Sequence, residues 1–590
     1  MNKFVEYLNS LNNSSGSNEN ALAESQVLSE YYEKIVIERK VADYIYCLLF
    51  KKNEKTALVL TGHAGDGKTS ILIQILKKIG YFEDGVSPLQ EVEEYEEKIL
   101  YVKDMSELNE TRQEEIFKKF LNAPKRGVSS LLISNTGPLI NTTKRILSNS
   151  LIKENEIVHD EYIENFEIEL LSNIDKVESS DINIQINNDN LAFRVINLAE
   201  IDNSYFVGEI IRKLSQEELW KSCSNCESGK RCPIYINHLT LLNNSERVTE
   251  FVDKLYFWLG DNLQRLTIRQ MLSHLSYSIT GNLSCNEINR RISNDKDGLF
   301  KYHFANLFFG HIGTKFEKSS FNIKAIRDLN EQMLEEKALI EEDYKLFVKE
   351  DYSMFDDYTR SILENTLKYN YDKLGIKNKE TIYMRRSFRR FYMLLGKLDE
   401  NEFNNMIGQV FSEMFPLYYQ LITEPKSKCA RIKSRVKDVV FNGLFKYLVG
   451  VHSLNNDELY LTLKKNSMDY QNVQLILGTI KKSEVKLEQE KIVGNIEETK
   501  KCNNIVLKFG DISMEVSYQT LDYLNNISKG KVYTKLNPSF TFDLTRLKSR
   551  LISFYGKKEE EDTAIRVLVI SNNTMKELQI DIDDKVLFEI

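Results

Sequence analysis

The sequence predicts an α/β core with a parallel sheet and a helical lid, then a mostly α-helical part, then an α+β C-terminal part. Three observations carry this reading. Ala57–Thr61 is a short apolar, partly β-branched run that leads through a glycine-rich loop into an apolar helix, Ser70–Ile79, stopped at Gly80. Two further apolar runs, Ile99–Val102 and Ser130–Ser134, flank a helical stretch, Glu110–Leu121, as buried parallel strands and their crossover do. From about 286 to 450 the pattern is helical and rich in Tyr and Phe, and beyond 455 it alternates like strands.

The loop after the first strand is Gly62-His63-Ala64-Gly65-Asp66-Gly67-Lys68-Thr69, followed by Ser70. It fits the P-loop pattern, and its flanks are the strand and helix that the pattern requires. Its glycines allow backbone conformations closed to other residues, so consecutive N–H groups can point at phosphate oxygens. The helix start adds a positive dipole end. Lys68 supplies a point charge for the β- and γ-phosphates, and Thr69 a hydroxyl for Mg²⁺. Residues 62–70 are therefore the expected ATP site, in a P-loop NTPase core.

The strand Ile99–Val102 runs into Lys103-Asp104-Met105-Ser106-Glu107. An apolar strand ending in Asp resembles the Walker B element, which places Asp104 in the magnesium shell; as a plain alternative, Asp104 caps the next helix. Glu107 is the expected base, although the usual Glu directly follows the Asp and here it falls three residues on. Asn135, after the next strand, resembles the polar residue by which AAA+ ATPases sense the γ-phosphate; an ordinary Asn-Thr-Gly turn is the alternative. Lys144 and Arg145 stand where such ATPases often place a residue that reaches a neighbouring subunit, or form a solvated face.

The remaining elements follow in order. Residues 1–25 are expected to be a flexible polar tail. Gln26–Phe50 reads as one helix with Ser25 as its N-cap, and Glu91–Glu97 as a solvated acidic helix. Residues 150–190 read as an insertion at the sheet edge, and Phe193–Leu198 as the last core strand. The expected divisions are a core over 26–215, a cysteine cluster and lid over 216–285, a helical domain over 286–450 and an α+β interaction domain over 451–590, closed by a hairpin turning at Asn572-Asn573.

Composition narrows the classes. A net charge of −8 over 590 residues does not announce a nucleic-acid protein. Seven cysteines are no disulfide framework, and no run approaches the roughly 18 apolar residues of a membrane helix. The expectation is a soluble, reducing, cytoplasmic protein without a membrane partner, with a homo-oligomer left open.

Three of the cysteines fall within ten residues, as Cys223-x2-Cys226-x5-Cys232 followed by Pro233. Two thiolates of a CxxC can share one metal and a third can close on it, with His238 or Cys285 as fourth ligand of a structural Zn²⁺. An iron–sulfur cluster or plain reduced thiols are the alternatives. Arg265-Leu-Thr-Ile-Arg269 opens a helix that resembles an AAA+ lid. Arg269, with Arg265 as the alternative, would read the γ-phosphate; the plain reading is a snorkelling surface arginine. Two basic stretches could track a phosphate backbone, Arg385, Arg386, Arg389 and Arg390 in one, and Lys428, Arg431, Lys433 and Arg435 in the other. A solvated or internally paired face is the alternative.

Taken together, Gly62-His-Ala-Gly-Asp-Gly-Lys-Thr69, the Cys223/Cys226/Cys232 run and Leu266-Thr-Ile-Arg269 resemble the DptF family of DNA phosphorothioation-dependent restriction ATPases. The resemblance implies a bacterial defence ATPase that acts with partner subunits, one of them helicase-like, on DNA lacking the sulfur modification. A STAND-like adaptor that binds ATP, turns over slowly and assembles partners is the alternative. A stand-alone nuclease or helicase fits less well, since neither motif set follows the second strand.

Overall fold

A computed structural model describes residues 1–12, 30–82, 89–150, 156–186, 189–292, 294–337, 339–375, 378–451, 457–463, 472–492, 494–531, 538–559, 564–571, 574–581 and 587–589. The chain forms two compact units, residues 1–399 with 494–499, and residues 400–493 with 500–590. The division falls at Asp399/Glu400, inside the stretch expected as one helical domain over 286–450. The helical stretch is shared between the units, because its helices pack with different partners.

In the first unit a six-stranded sheet has the order β2-β3-β4-β1-β6-β5. Its strands are β1 (Ala57–Thr61), β2 (Val92–Tyr95), β3 (Ile99–Val102), β4 (Ser129–Ile133), β5 (Ile182–Ile186) and β6 (Asp189–Asn197). The four central strands are parallel, and the edge strands β2 and β5 are antiparallel to their neighbours. The apolar runs are continuous because helices cover both faces. Ala57 and Val59 pack with Phe117 and Phe120 on one face, while Leu58 and Leu60 pack with Ile71 and Leu72 on the other. Register pairs Val59 with Leu132 and Leu132 with Val102, so β1, β4 and β3 end level with one another.

Three expectations change, and a fourth, the insertion at the sheet edge, is met. Residues 3–12 are a helix rather than a tail: Phe4, Val5, Leu8 and Leu11 are buried, and the helix packs on the helix Ile268–Thr280, the one expected as a lid. The rest of the expected tail, with Ser25 and the start of the expected first helix, lies outside the described residues. Within 30–51, the single expected helix is broken into Tyr32–Ile35 and Lys40–Tyr46 by extended backbone at Val36 and Arg39. The acidic stretch at 91–97 contains β2, because β3 otherwise presents an unpaired edge, and Glu93 there accepts hydrogen bonds from Tyr81 and Tyr101 at 2.6 Å. The insertion at 150–190 supplies the helix Glu156–Ile174 and β5.

Between the lid and residue 399 the first unit is helical except for a small hairpin, β7 (His311–Ile312) with β8 (Lys315–Phe316). The second unit contains the helices Glu400–Val410, Phe415–Thr423 and Ala430–Val449, and two antiparallel sheets. One sheet joins β9 (Glu458–Leu463), β10 (Val473–Lys481), β14 (Ala564–Ser571), β15 (Thr574–Asp581) and β16 (Leu587–Glu589). The other joins β11 (Val485–Lys491), β12 (Asn503–Phe509) and β13 (Ile512–Glu515). The expected hairpin is β14–β15; its Asn572-Asn573 turn lies outside the described residues. Among the described residues no helix is long and apolar enough to cross a membrane.

Candidate functional site

The level ends of β1, β3 and β4 open onto one cavity of about 360 Å³. Its polar wall carries Lys68, Thr69, Asp104, Glu107, Asn135 and Arg269, residues spread over 200 positions that sheet order alone brings together. Its other wall is apolar, formed by Tyr7 and Leu11 of the N-terminal helix, Tyr32, Ile35, Ile73 and Leu272.

The glycine loop is held from inside. Gly65 has φ +90°, and a Cβ there would stand 2.8 Å from Thr267 Oγ1, so only glycine lets the loop and the lid approach this closely. Gly67, also at φ +90°, is the N-cap of the helix Lys68–Lys78. Asp66 is fully buried. Its carboxylate accepts the His63 N–H at 2.9 Å, Asn203 Nδ2 at 3.1 Å and Arg265 Nη1 at 2.9 Å. Arg265 also donates to the Leu198 and Ile201 carbonyls. That set of bonds ties Arg265 to the glycine loop and to the turn after β6. Arg269 lines the cavity, and its N–H donates to the Gly65 carbonyl at 3.3 Å.

Lys68 is buried. Its ammonium donates to the Gly62 carbonyl at 2.8 Å, the His63 carbonyl at 3.1 Å and Asn135 Oδ1 at 2.9 Å. Asn135 in turn donates its N–H to Ser106 Oγ at 2.9 Å. Asp104 lines the cavity, and it caps the turn Met105–Glu107 by accepting the Ser106 N–H at 2.8 Å. Glu107 ends that turn and reaches the same cavity, so a carboxylate three residues beyond the Asp is brought back by one helical turn.

Sequence reasoning missed Arg39. It is 3% exposed, and its guanidinium carbon lies 4.5 Å from the centre of the Phe206 ring. Nε donates to Glu497 at 2.7 Å and Nη1 to the Asp66 carbonyl at 3.1 Å, while Nη2 is buried without a hydrogen-bond partner. Burial pushes its pKa below the usual arginine value, and Glu497 opposes that shift. Gln74 holds the extended strip beside it by accepting the Arg39 N–H and donating to the Ile37 carbonyl. Tyr32, whose pKa burial raises, shares a 3.1 Å hydrogen bond with Ser70. Only the run of β-branched residues at 35–37 ahead of Arg39 hinted at this strip, and nothing in the sequence near the loop pointed to residue 497.

Other expected residues are engaged elsewhere. Lys144 pairs with Glu167 and Arg145 with Glu110 and Glu114. In the first basic stretch three of the four arginines pair with carboxylates. Arg389 pairs with Asp343, Arg386 with Glu336, and buried Arg390 with Glu335, while Arg385 Nε is buried. The second stretch differs: Arg431 and Arg435 are exposed and Lys433 half-exposed on the helix Ala430–Val449, with Lys428 just before it 3.4 Å from Glu424. His238 stacks on Trp220 and its ring bonds to the Ser215 carbonyl.

Compared with known families, curated proteins and solved structures, the chain matches none.

Proposed function

We propose that the chain is an ATP-binding and ATP-hydrolysing subunit of a bacterial DNA restriction or defence complex, acting with helicase-like partner subunits. The observation that carries the ATPase reading is the convergence of Lys68, Thr69, Asp104, Glu107 and Asn135 on one cavity at the carboxyl ends of β1, β3 and β4. The insertion of β4 between β1 and β3 is the strand order of AAA+-like P-loop NTPases, and supports the same reading. The restriction setting rests on the resemblance of the 62–69, 223–232 and 266–269 runs to phosphorothioation-dependent ATPases.

The chemistry divides among named groups. The loop N–H groups and Lys68 would take the β- and γ-phosphates, so Lys68 exchanges its contacts with the loop carbonyls for phosphate oxygens. Thr69 and Asp104 would hold Mg²⁺, which neutralises charge developing on the phosphates. Glu107 would accept the water proton and Asn135 orient that water. Arg39, with a buried Nη2 lacking a partner, would gain a phosphate oxygen there. The apolar wall, with Tyr7 and Tyr32, suits an adenine ring.

Lys68→Ala is expected to weaken ATP binding by about 10- to 150-fold, the loss of a charge-assisted bond of roughly 1.5–3 kcal/mol, and to bring turnover to background. Turnover unchanged in that variant would remove this site from consideration.

A slow nucleotide-gated adaptor is favoured by one feature, that buried Met105 occupies the position of the usual base directly after Asp104. Glu107→Gln separates the two readings. A hydrolase loses turnover and keeps ATP binding; an adaptor shows slow turnover, unaffected by the change or by duplex DNA.

A further inference from the structure

The cysteine cluster takes no part in the nucleotide site, yet the fold gathers it. Cys223 ends the helix Glu217–Ser224. The chain then turns tightly, with N–H bonds from Cys226 to the Cys223 carbonyl, from Gly229 to the Cys226 carbonyl and from Cys232 to the Gly229 carbonyl. Cys232 caps the helix Pro233–Asn243. Tight successive turns between closely spaced cysteines are the kind of backbone on which a metal knuckle is built.

The fourth position is decided by contacts that no spacing rule contains. Cys285 opens a helical turn capped by Ser284, and Asn289 lies one turn further on the same face. Asn289 Oδ1 accepts a hydrogen bond from Ser228 Oγ, which lies between Cys226 and Cys232 in the chain. The face bearing Cys285 is thereby laid against the cysteine loop. Cys223 and Cys232 each have Cys285 among their electrostatic neighbours. His238 bonds the Ser215 carbonyl through Nε2 and stacks on Trp220, while its Nδ1 is buried without a hydrogen-bond partner. N–H donors already face the sulfurs: Asn2 Nδ2 lies 3.3 Å from Cys223 Sγ, and the Ile234 and Tyr235 N–H groups face Cys232. Such donors are what orient and stabilise metal-bound thiolates.

We propose that Cys223, Cys226, Cys232 and Cys285 bind one Zn²⁺ in a tetrahedral structural site that joins the loop before the lid helix to the segment after it. Among the described residues no three His, Cys, Asp or Glu side chains stand within metal-binding distance of one another. Closure therefore requires rotation about cysteine χ1 bonds, which is open to exposed Cys226, on a backbone already turned for it. Asn2 ties the N-terminal helix to this site, and Tyr7 and Leu11 of that helix line the nucleotide cavity. The ion would fix the frame on which that wall stands, without touching nucleotide.

The test is metal analysis of the full-length chain, purified without chelator and without a metal-affinity step. About one zinc per chain is expected for the unchanged protein and for Cys502→Ser, and below about 0.2 for Cys226→Ser and Cys285→Ser, as a four-thiolate site needs all its ligands. Cys226 is exposed, so its serine variant loses little packing, and circular dichroism verifies that it is folded. Replacement of zinc by Co²⁺ is expected to produce the strong charge-transfer bands of a four-thiolate ion. Folded protein that neither carries zinc nor binds added Zn²⁺ would overturn the proposal, as would zinc retained at full occupancy in Cys285→Ser. Iron with labile sulfide in place of zinc would overturn the choice of ion.

Discussion

At the scale of single residues, two buried charges organise the site. Asp66 faces inward and ties the glycine loop to Arg265 and Asn203. Arg39 is held from the opposite side by Glu497, both side chains being 2% exposed. Glu497 also accepts the Lys40 N–H at 3.0 Å, capping the helix that starts there from 457 positions away. Breaking a buried pair leaves an uncompensated charge, which costs about 3–5 kcal/mol. Glu497→Gln keeps the shape and removes the charge, so a loss of that order in urea unfolding is expected. A loss below about 1 kcal/mol would mean that Arg39 finds another partner, and the pair would then not be structural.

At the scale of elements, close backbone approach decides more than composition does. The helix Ala430–Val449 crosses the helix Tyr518–Ser528 at Gly443, where a Cβ would stand 2.6 Å from the Leu524 carbonyl oxygen and from Leu524 Cβ. The contact is with backbone, so a rotamer change cannot relieve it. Gly443→Ala gains about 1 kcal/mol of helix propensity but must push the helices apart, an overpacking cost of about 1–3 kcal/mol. A net loss is expected, read as a lower denaturation midpoint of the second unit. A midpoint that stays or rises would show that the crossing is loose.

At the scale of the whole molecule, the proposed nucleotide site is assembled from distant parts of the chain. Tyr7 and Leu11, the strip 36–39, the loop 62–70, the turn 104–107, Asn135 and Arg269 all border one cavity. A ligand that binds there and not to the unfolded chain adds about 2.7 kcal/mol at 100 times its Kd. Amide exchange on adding Mg-ATP is therefore expected to slow together at residues 7–12, 36–39, 62–70 and 268–272, by up to about 100-fold. Slowing confined to 62–70 would show that the N-terminal helix and the lid do not belong to the site.

The glycine loop, its strand and its helix were legible in the sequence because their signals are local: hydrophobic period, glycines at fixed offsets, and a lysine at the helix start. The strands bearing Asp104 and Asn135 were legible for the same reason. The division at residue 399, the β2 edge in an acidic stretch and the buried face of the N-terminal helix were not, since each depends on which surface a distant segment leaves uncovered. The same holds for charge. One row of arginines read as a docking face is spent inside the fold on Glu335, Glu336 and Asp343, and an arginine that no motif marked sits at the cavity wall. Sequence determines which groups can carry charge or bind phosphate; only packing decides which of them keep a free valence, because a buried charge must find its partner wherever the chain has brought one.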